Sequence, residues 1–154
     1  MKRYTGVIVT IINHSLVGGL IGKFVPWPIG LPLAFASHFV LDMLPHYGIP
    51  TKRRNQSASW KAIVVLDIAS CVCLIIWCFR YHHYAIYACG QIAAVPDFIW
   101  VHRAIKGRSF DFSNVKSRYE RWHIRIQRYE FPGGIWIELP LAAVLFYFVI
   151  IRTV

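Results

Sequence analysis

Apolar residues gather into five stretches, Val7 to Gly22, Ile29 to Leu44, Ala62 to Phe79, Tyr84 to Val101 and Ile135 to Ile151, parted by shorter polar connections. Each holds 16 to 18 residues, near the lower end of the ~17–25 that carry a helix across a bilayer. The pattern predicts an all-α polytopic membrane protein: one integral membrane domain over residues 1–154 with about five transmembrane helices. The first two stretches are the shortest and leave a half-spanning hairpin open. Phe24-Val25-Pro26-Trp27-Pro28 is the turn between them, since its prolines block helix continuation. Gly18, Gly19 and Gly22 leave one face of the first helix nearly bare, so that a neighbouring backbone can approach it closely.

A sixth segment has a different pattern. From Val115 to Glu130, Val115, Tyr119, Trp122, Ile126 and Tyr129 recur at helical spacing, while Arg118, Arg121, Arg125 and Arg128 form an offset stripe. A helix with one aromatic face and an arginine-rich flank lies in the membrane interface and reaches lipid phosphates. Phe131-Pro132-Gly133-Gly134 reads as a hinge into the last stretch, and Tyr47 to Trp60 as a polar, basic loop.

Composition and charge add a direction to this layout. The chain is 56% hydrophobic and only 16% charged, a membrane protein's composition. No small-residue cleavage site follows Met1-Lys2-Arg3, and Asn13-His14 interrupts the first stretch, so it reads as a retained helix. With the amino terminus in the cytoplasm, fourteen of the 17 basic residues fall inside, among them Lys52, Arg53, Arg54, Arg103, Lys106, Arg108 and Lys116, and only Lys23, Arg80 and Arg152 fall outside. That bias sets the orientation. The net charge of +10 then belongs mainly to the cytoplasmic face and its anionic head groups; no soluble basic module for nucleic acid is present. Cys71, Cys73, Cys78 and Cys89 form no Cys-x-x-Cys pair and read as free thiols among apolar neighbours.

Ionisable groups inside apolar stretches are costly and call for a physical reason. On a rise of about 1.5 Å per residue, His14, His38, Asp42, Asp67, Asp97 and Glu138 all fall within about 10 Å of the cytoplasmic end of their stretches. Such clustering points to one polar cavity opening toward the cytoplasm. His38 and Asp42, one helical turn apart, share a face, which suits two ligands of one metal or a ligand histidine held by a carboxylate. Pro45 ends that helix and leaves His46 at the rim, either folding back as a ligand or facing head groups. Pro96 predicts a kink beside Asp97. Asp67 either points into this cavity or pairs with Lys61 or a histidine, and it is left out of the ligand set. His102 and His123 fall at the interface, where His123 either is solvated or leans over the cavity mouth.

The segments Asn13-His14-Ser15-Leu16-Val17-Gly18, Ser37-His38-Phe39-Val40-Leu41-Asp42 with Pro45-His46, and Ala94-Val95-Pro96-Asp97 resemble those of a bacterial family of small inner-membrane proteins described as metal-dependent hydrolases; His123, Gln127 and Glu138 carry a weaker similarity. The chain departs from the family's pattern where Phe98-Ile99-Trp100 follows Pro96-Asp97 and where His102-Arg103 lacks a later Thr-His-Ser. The resemblance implies residence in the bacterial inner membrane and metal binding by His14, His38, Asp42 and Asp97.

The resulting expectation is a divalent ion on His14, His38 and Asp97, with Asp42 as fourth ligand or as partner of His38. Mixed imidazole and carboxylate ligation suits zinc, with manganese or iron as alternatives. Glu138 is the expected general base beside Asp97, and Arg118, Arg121 and Arg125 would hold a lipid phosphate at the mouth. The expected reaction is hydrolysis of a phospholipid or other amphipathic ester at the cytoplasmic leaflet. Two non-enzymatic readings compete with it: a metal or proton transport component, and a membrane scaffold whose buried polar groups hold helices together.

Overall fold

A computed structural model describes residues 10–48, 58–99, 117–127 and 129–152. Met1 to Arg3, Lys52 to Arg54, His102, Arg103, Lys106, Arg108, Val115, Lys116 and Arg128 lie outside the described residues. The described residues form six α-helices. Helices α1 (Ile11–Phe24) and α2 (Trp27–Asp42) make the expected hairpin. Its turn is closed by the Val25 amide donating to the Ile21 carbonyl at 2.8 Å, with proline in the first turn of α2, where a missing N–H costs nothing. Then come α3 (Ala58–Arg80), α4 (Tyr84–Ala94) with a 3₁₀ turn at Val95–Asp97, α5 (Arg118–Ile126), and α6 (Ile135–Phe146), which a 3₁₀ turn precedes and a π-helical turn at Tyr147–Ile151 extends.

Helix α1 is the hub, in contact with α2, α3, α4 and α6. Its glycines serve the close approach their sequence suggests. A Cβ on Gly18 would lie 2.6 Å from the Ala93 Cβ, and one on Gly90 would lie 2.8 Å from the Ser15 carbonyl oxygen. Only bare backbone fits on either side of this contact. The apolar core forms on another side of α1, where Leu16, Leu74, Cys78, Ile86, Leu145 and Val149 are buried together. All four cysteines are free thiols; Cys78 and Cys89 are buried, and Cys73 is exposed.

Carboxylates complete the α1 amino terminus. Asp67 on α3 accepts the Ile11 and Ile12 amides, each at 2.9 Å, and Glu138 on α6 accepts the Thr10 amide at 3.3 Å. These N–H groups have no acceptor within their own helix, and negative charge at this end suits the helix dipole. Asp67 is thus the cap of a neighbouring helix and not the partner of Lys61 or a histidine.

Two findings differ from the sequence expectation. The supposed loop and hinge meet as a short parallel ribbon, β1 (His46–Tyr47) beside β2 (Glu130–Phe131). Gly134 lies directly against the His46 backbone, where no side chain would fit. The count of five spanning helices is not supported either, because among the described residues two helices, Ala58–Arg80 and Pro132–Ile151, are long and apolar enough to cross a membrane. α1, α2 and α4 contain 14, 16 and 11 residues, and at about 1.5 Å per residue none reaches the ~30 Å of a hydrocarbon core. At Pro96, which cannot supply the next helical N–H, α4 passes into the 3₁₀ turn, after which Phe98 and Ile99 are helical again. Val40, Leu66, Ile76, Trp136, Leu139 and Val144 nonetheless stay exposed on α2, α3 and α6.

Candidate metal centre

Four elements converge on one buried cluster. His14 comes from the α1 face that lies against α4, while His38 and Asp42 come from successive turns of α2. Asp97 ends the 3₁₀ turn after α4, and His123 and Gln127 come from α5 and its carboxyl end. All six side chains are almost wholly buried.

Asp42 is the centre of the geometry. Its Oδ2 lies 2.6 Å from His123 Nε2 and 3.1 Å from His38 Nε2, and it accepts the Gln127 amide at 3.2 Å. Its other oxygen, Oδ1, faces His14 Nε2 at 3.4 Å. Asp97 mirrors this arrangement more loosely, with Oδ2 at 3.7 Å from His14 Nε2 and Oδ1 at 3.8 Å from His38 Nε2. The His14 and His38 rings are stacked, with centroids 4.0 Å apart.

The proton positions follow from the hydrogen bonds. His38 Nδ1 lies 2.8 Å from the Ala93 carbonyl oxygen, which can only accept, so Nδ1 carries the proton and Nε2 presents its lone pair to the cluster. Ala93 is open to this bond because Pro96 lacks the N–H that the 3₁₀ turn would return to it. Facing that lone pair are an acidic oxygen and a second imidazole nitrogen, His123 Nε2, at 3.1 Å. Among the described residues, neither Asp97 oxygen nor either His14 nitrogen has a hydrogen-bond partner. Buried acceptors crowded this way need a cation or added protons among them. Two sets, His14 with His38 and Asp97, and His38 with Asp42 and His123, place one ligand atom from each residue within 4.8 Å of the others, and these buried clusters could hold a metal ion.

α5 reaches the cluster over α2, with Trp122 tilted on Phe39 at 4.9 Å between ring centroids. His123 is buried, whereas Arg118, Arg121 and Arg125 are exposed along the same helix. Partial burial, with the charges of Asp97 and Asp42 adding to it, pushes the Tyr119 phenol up to about 12.

The structure therefore brings together His14, His38, Asp42 and Asp97, and places His123 among them. His46 and Glu138 have other positions. His46 neither folds back as a ligand nor faces head groups: its Nδ1 donates to the Leu44 carbonyl at 2.6 Å and its Nε2 faces Glu130 Oε1 at 3.6 Å. Burial lowers the His46 pKa, but the Glu130 carboxylate, the Leu44 carbonyl and the charge of Asp42 outweigh burial and leave it raised. Glu138 takes a structural place. Its carboxylate is occupied by the Tyr47 amide at 2.9 Å and the Thr10 amide at 3.3 Å, joining β1, α1 and α6.

The sequence reading missed the Ala93 carbonyl and gave Gln127 no role of its own. No side-chain pattern marks a backbone acceptor. The i,i+4 spacing of His123 and Gln127 on a polar helix was the available signal, the same spacing that singles out His38 and Asp42. A large apolar cavity of about 650 Å³ lies elsewhere, lined by Ile12, Leu16, Leu66, Leu74, Leu139 and Phe146 among others, and it contains none of the clustered histidines. No family model, curated protein or solved structure matches the chain.

Proposed function

We propose that this protein is an integral membrane hydrolase dependent on a divalent metal, most suitably zinc, with manganese or iron as alternatives. Its substrate is a phospholipid or another amphipathic ester met at the cytoplasmic leaflet. The observation that carries this reading is the convergence of three imidazoles and two carboxylates in a buried site, with the His38 tautomer set by Ala93. A histidine whose second nitrogen is held by a carbonyl is the usual form of a metal ligand.

A bound divalent ion supplies Lewis-acid polarisation of a phosphoryl or acyl oxygen and acidifies water to a pKa of about 7. The chain's own part is to hold that centre rigid. Asp42 and Asp97 neutralise charge, Gln127 steadies Asp42, and α5 covers the site. Asp97, whose oxygens have no hydrogen-bond partner among the described residues, has both oxygens available to the ion. Arg118, Arg121 and Arg125 on the exposed side of α5 suit a lipid phosphate.

Membrane residence is supported by the two long apolar helices and by the exposed apolar side chains of α2, α3 and α6, since a surface of this kind is costly in water. The shorter α1, α2 and α4 complete the bundle as partial or thinned crossings. We place the amino terminus in the cytoplasm and the protein in a bacterial inner membrane, from the charge bias and the family resemblance. The test is to incubate detergent-purified, metal-loaded protein in vesicles of mixed phospholipids and look for cleaved products, with chelated protein as control. Cleavage that requires metal supports the reading; ion flux without products would replace it with transport.

A further inference from the structure

Both carboxylates in the cluster face two ways. Asp42 turns Oδ1 to His14 (3.4 Å) and Oδ2 to His38 (3.1 Å) and His123 (2.6 Å). Asp97 turns Oδ2 to His14 (3.7 Å) and Oδ1 to His38 (3.8 Å). The two candidate ligand sets overlap in His38, yet an imidazole nitrogen has one lone pair and cannot serve two ions. A carboxylate with two oxygens can.

We propose that the cluster is a site for two cations, bridged by Asp42 and Asp97. His14 with Asp42 Oδ1 and Asp97 Oδ2 would hold one ion; His38 and His123 with Asp42 Oδ2 and Asp97 Oδ1 would hold the other. This inference rests on the metal-centre reading above and adds a second ion to it.

Three observations favour two ions over one. Within each carboxylate the two oxygens face different imidazoles, so a single ion would leave part of the set unused in a buried place. The His14 and His38 rings are stacked face to face with centroids 4.0 Å apart, and their Nε2 atoms face opposite oxygens of both carboxylates, which makes two ligand positions and not one. Finally, α5 adds His123, a third imidazole whose Nε2 lies 3.1 Å from His38 Nε2 and 2.6 Å from Asp42 Oδ2. With His123 the second ion gains two imidazoles and two carboxylate oxygens, a four-ligand set of the kind manganese and zinc accept. A site of this type suits phosphoester cleavage, in which two ions share the attacking and leaving oxygens.

The full chain, purified in detergent and stripped of metal, is loaded with Mn²⁺ and measured by metal analysis and electron paramagnetic resonance. Two ions per chain and a spin-coupled spectrum are expected in the wild type. His14→Gln and His123→Gln should each retain one ion and show the six-line signal of isolated Mn²⁺. The wild-type spectrum is a readout that does not depend on either variant folding. One ion per chain with an uncoupled spectrum would overturn the two-cation site and leave the metal-centre reading standing. No bound ion in the wild type would overturn both.

Discussion

His38 donates its Nδ1 proton to the carbonyl oxygen of Ala93 at 2.8 Å, joining α2 to the last turn of α4. This bond determines which imidazole nitrogen enters the cluster. It exists because Pro96, three residues after Ala93, offers no N–H to compete for the carbonyl.

Pro96→Ala restores that N–H and gives Ala93 a backbone partner. Metal affinity is expected to fall about 10–100-fold, the usual effect of losing a partner that orients a ligand, while the melting temperature stays close to wild type. Competition with a chelator of known affinity, beside a thermal melt, checks this. An unchanged affinity would mean that the carbonyl does not orient His38.

Glu138 separates a structural from a catalytic carboxylate. Glu138→Gln keeps an acceptor for one of the Tyr47 and Thr10 amides and is expected to retain product formation to within about threefold with a small loss of stability, whereas Glu138→Ala lowers stability by about 1–3 kcal/mol by leaving both buried amides without an acceptor. Comparing vesicle assays with melts of both variants decides it. A large rate loss in the glutamine variant at wild-type stability would return Glu138 to proton transfer.

Asp67 should matter to α1 and not to the metal. Asp67→Ala removes the acceptor of two first-turn amides and the charge at the helix amino end, with an expected cost of about 1–2 kcal/mol. Metal content should be unchanged after gentle purification. Loss of the metal at wild-type stability would instead tie Asp67 to the cluster.

The His46–Glu130 pair predicts a pH dependence. Because the folded-state pKa of His46 is raised above its ordinary 6.5, the pair's contribution is fully present below that value and is lost as pH rises through the folded value. The melting-temperature gap between wild type and Glu130→Gln should therefore be widest near pH 6 and close toward pH 9. A gap that widened with pH would contradict a stabilising charged His46.

Much of the site is legible in the chain because burying charge is costly wherever it occurs. Histidines and acids inside apolar stretches stand out without any fold in view, and the His38–Asp42 spacing and the glycine face of α1 follow from helical periodicity alone. Residues that turn polar by position were not legible. His123 reads as an interfacial residue until α5 is laid across α2, and His46 pairs with Glu130 only because two short segments distant in sequence align as a ribbon.

Periodicity and composition alone determined a mostly helical chain, its turns at Pro26 and Pro96 and the ionisable residues it buries, since these depend on contacts within a few residues. Only the tertiary structure decided how those residues are used: that Asp67 and Glu138 cap backbone amides, that His123 joins His14, His38, Asp42 and Asp97, and that Ala93 orients His38. Partners 55 to 128 residues apart are set by which helix faces can approach, and local pattern carries no record of that.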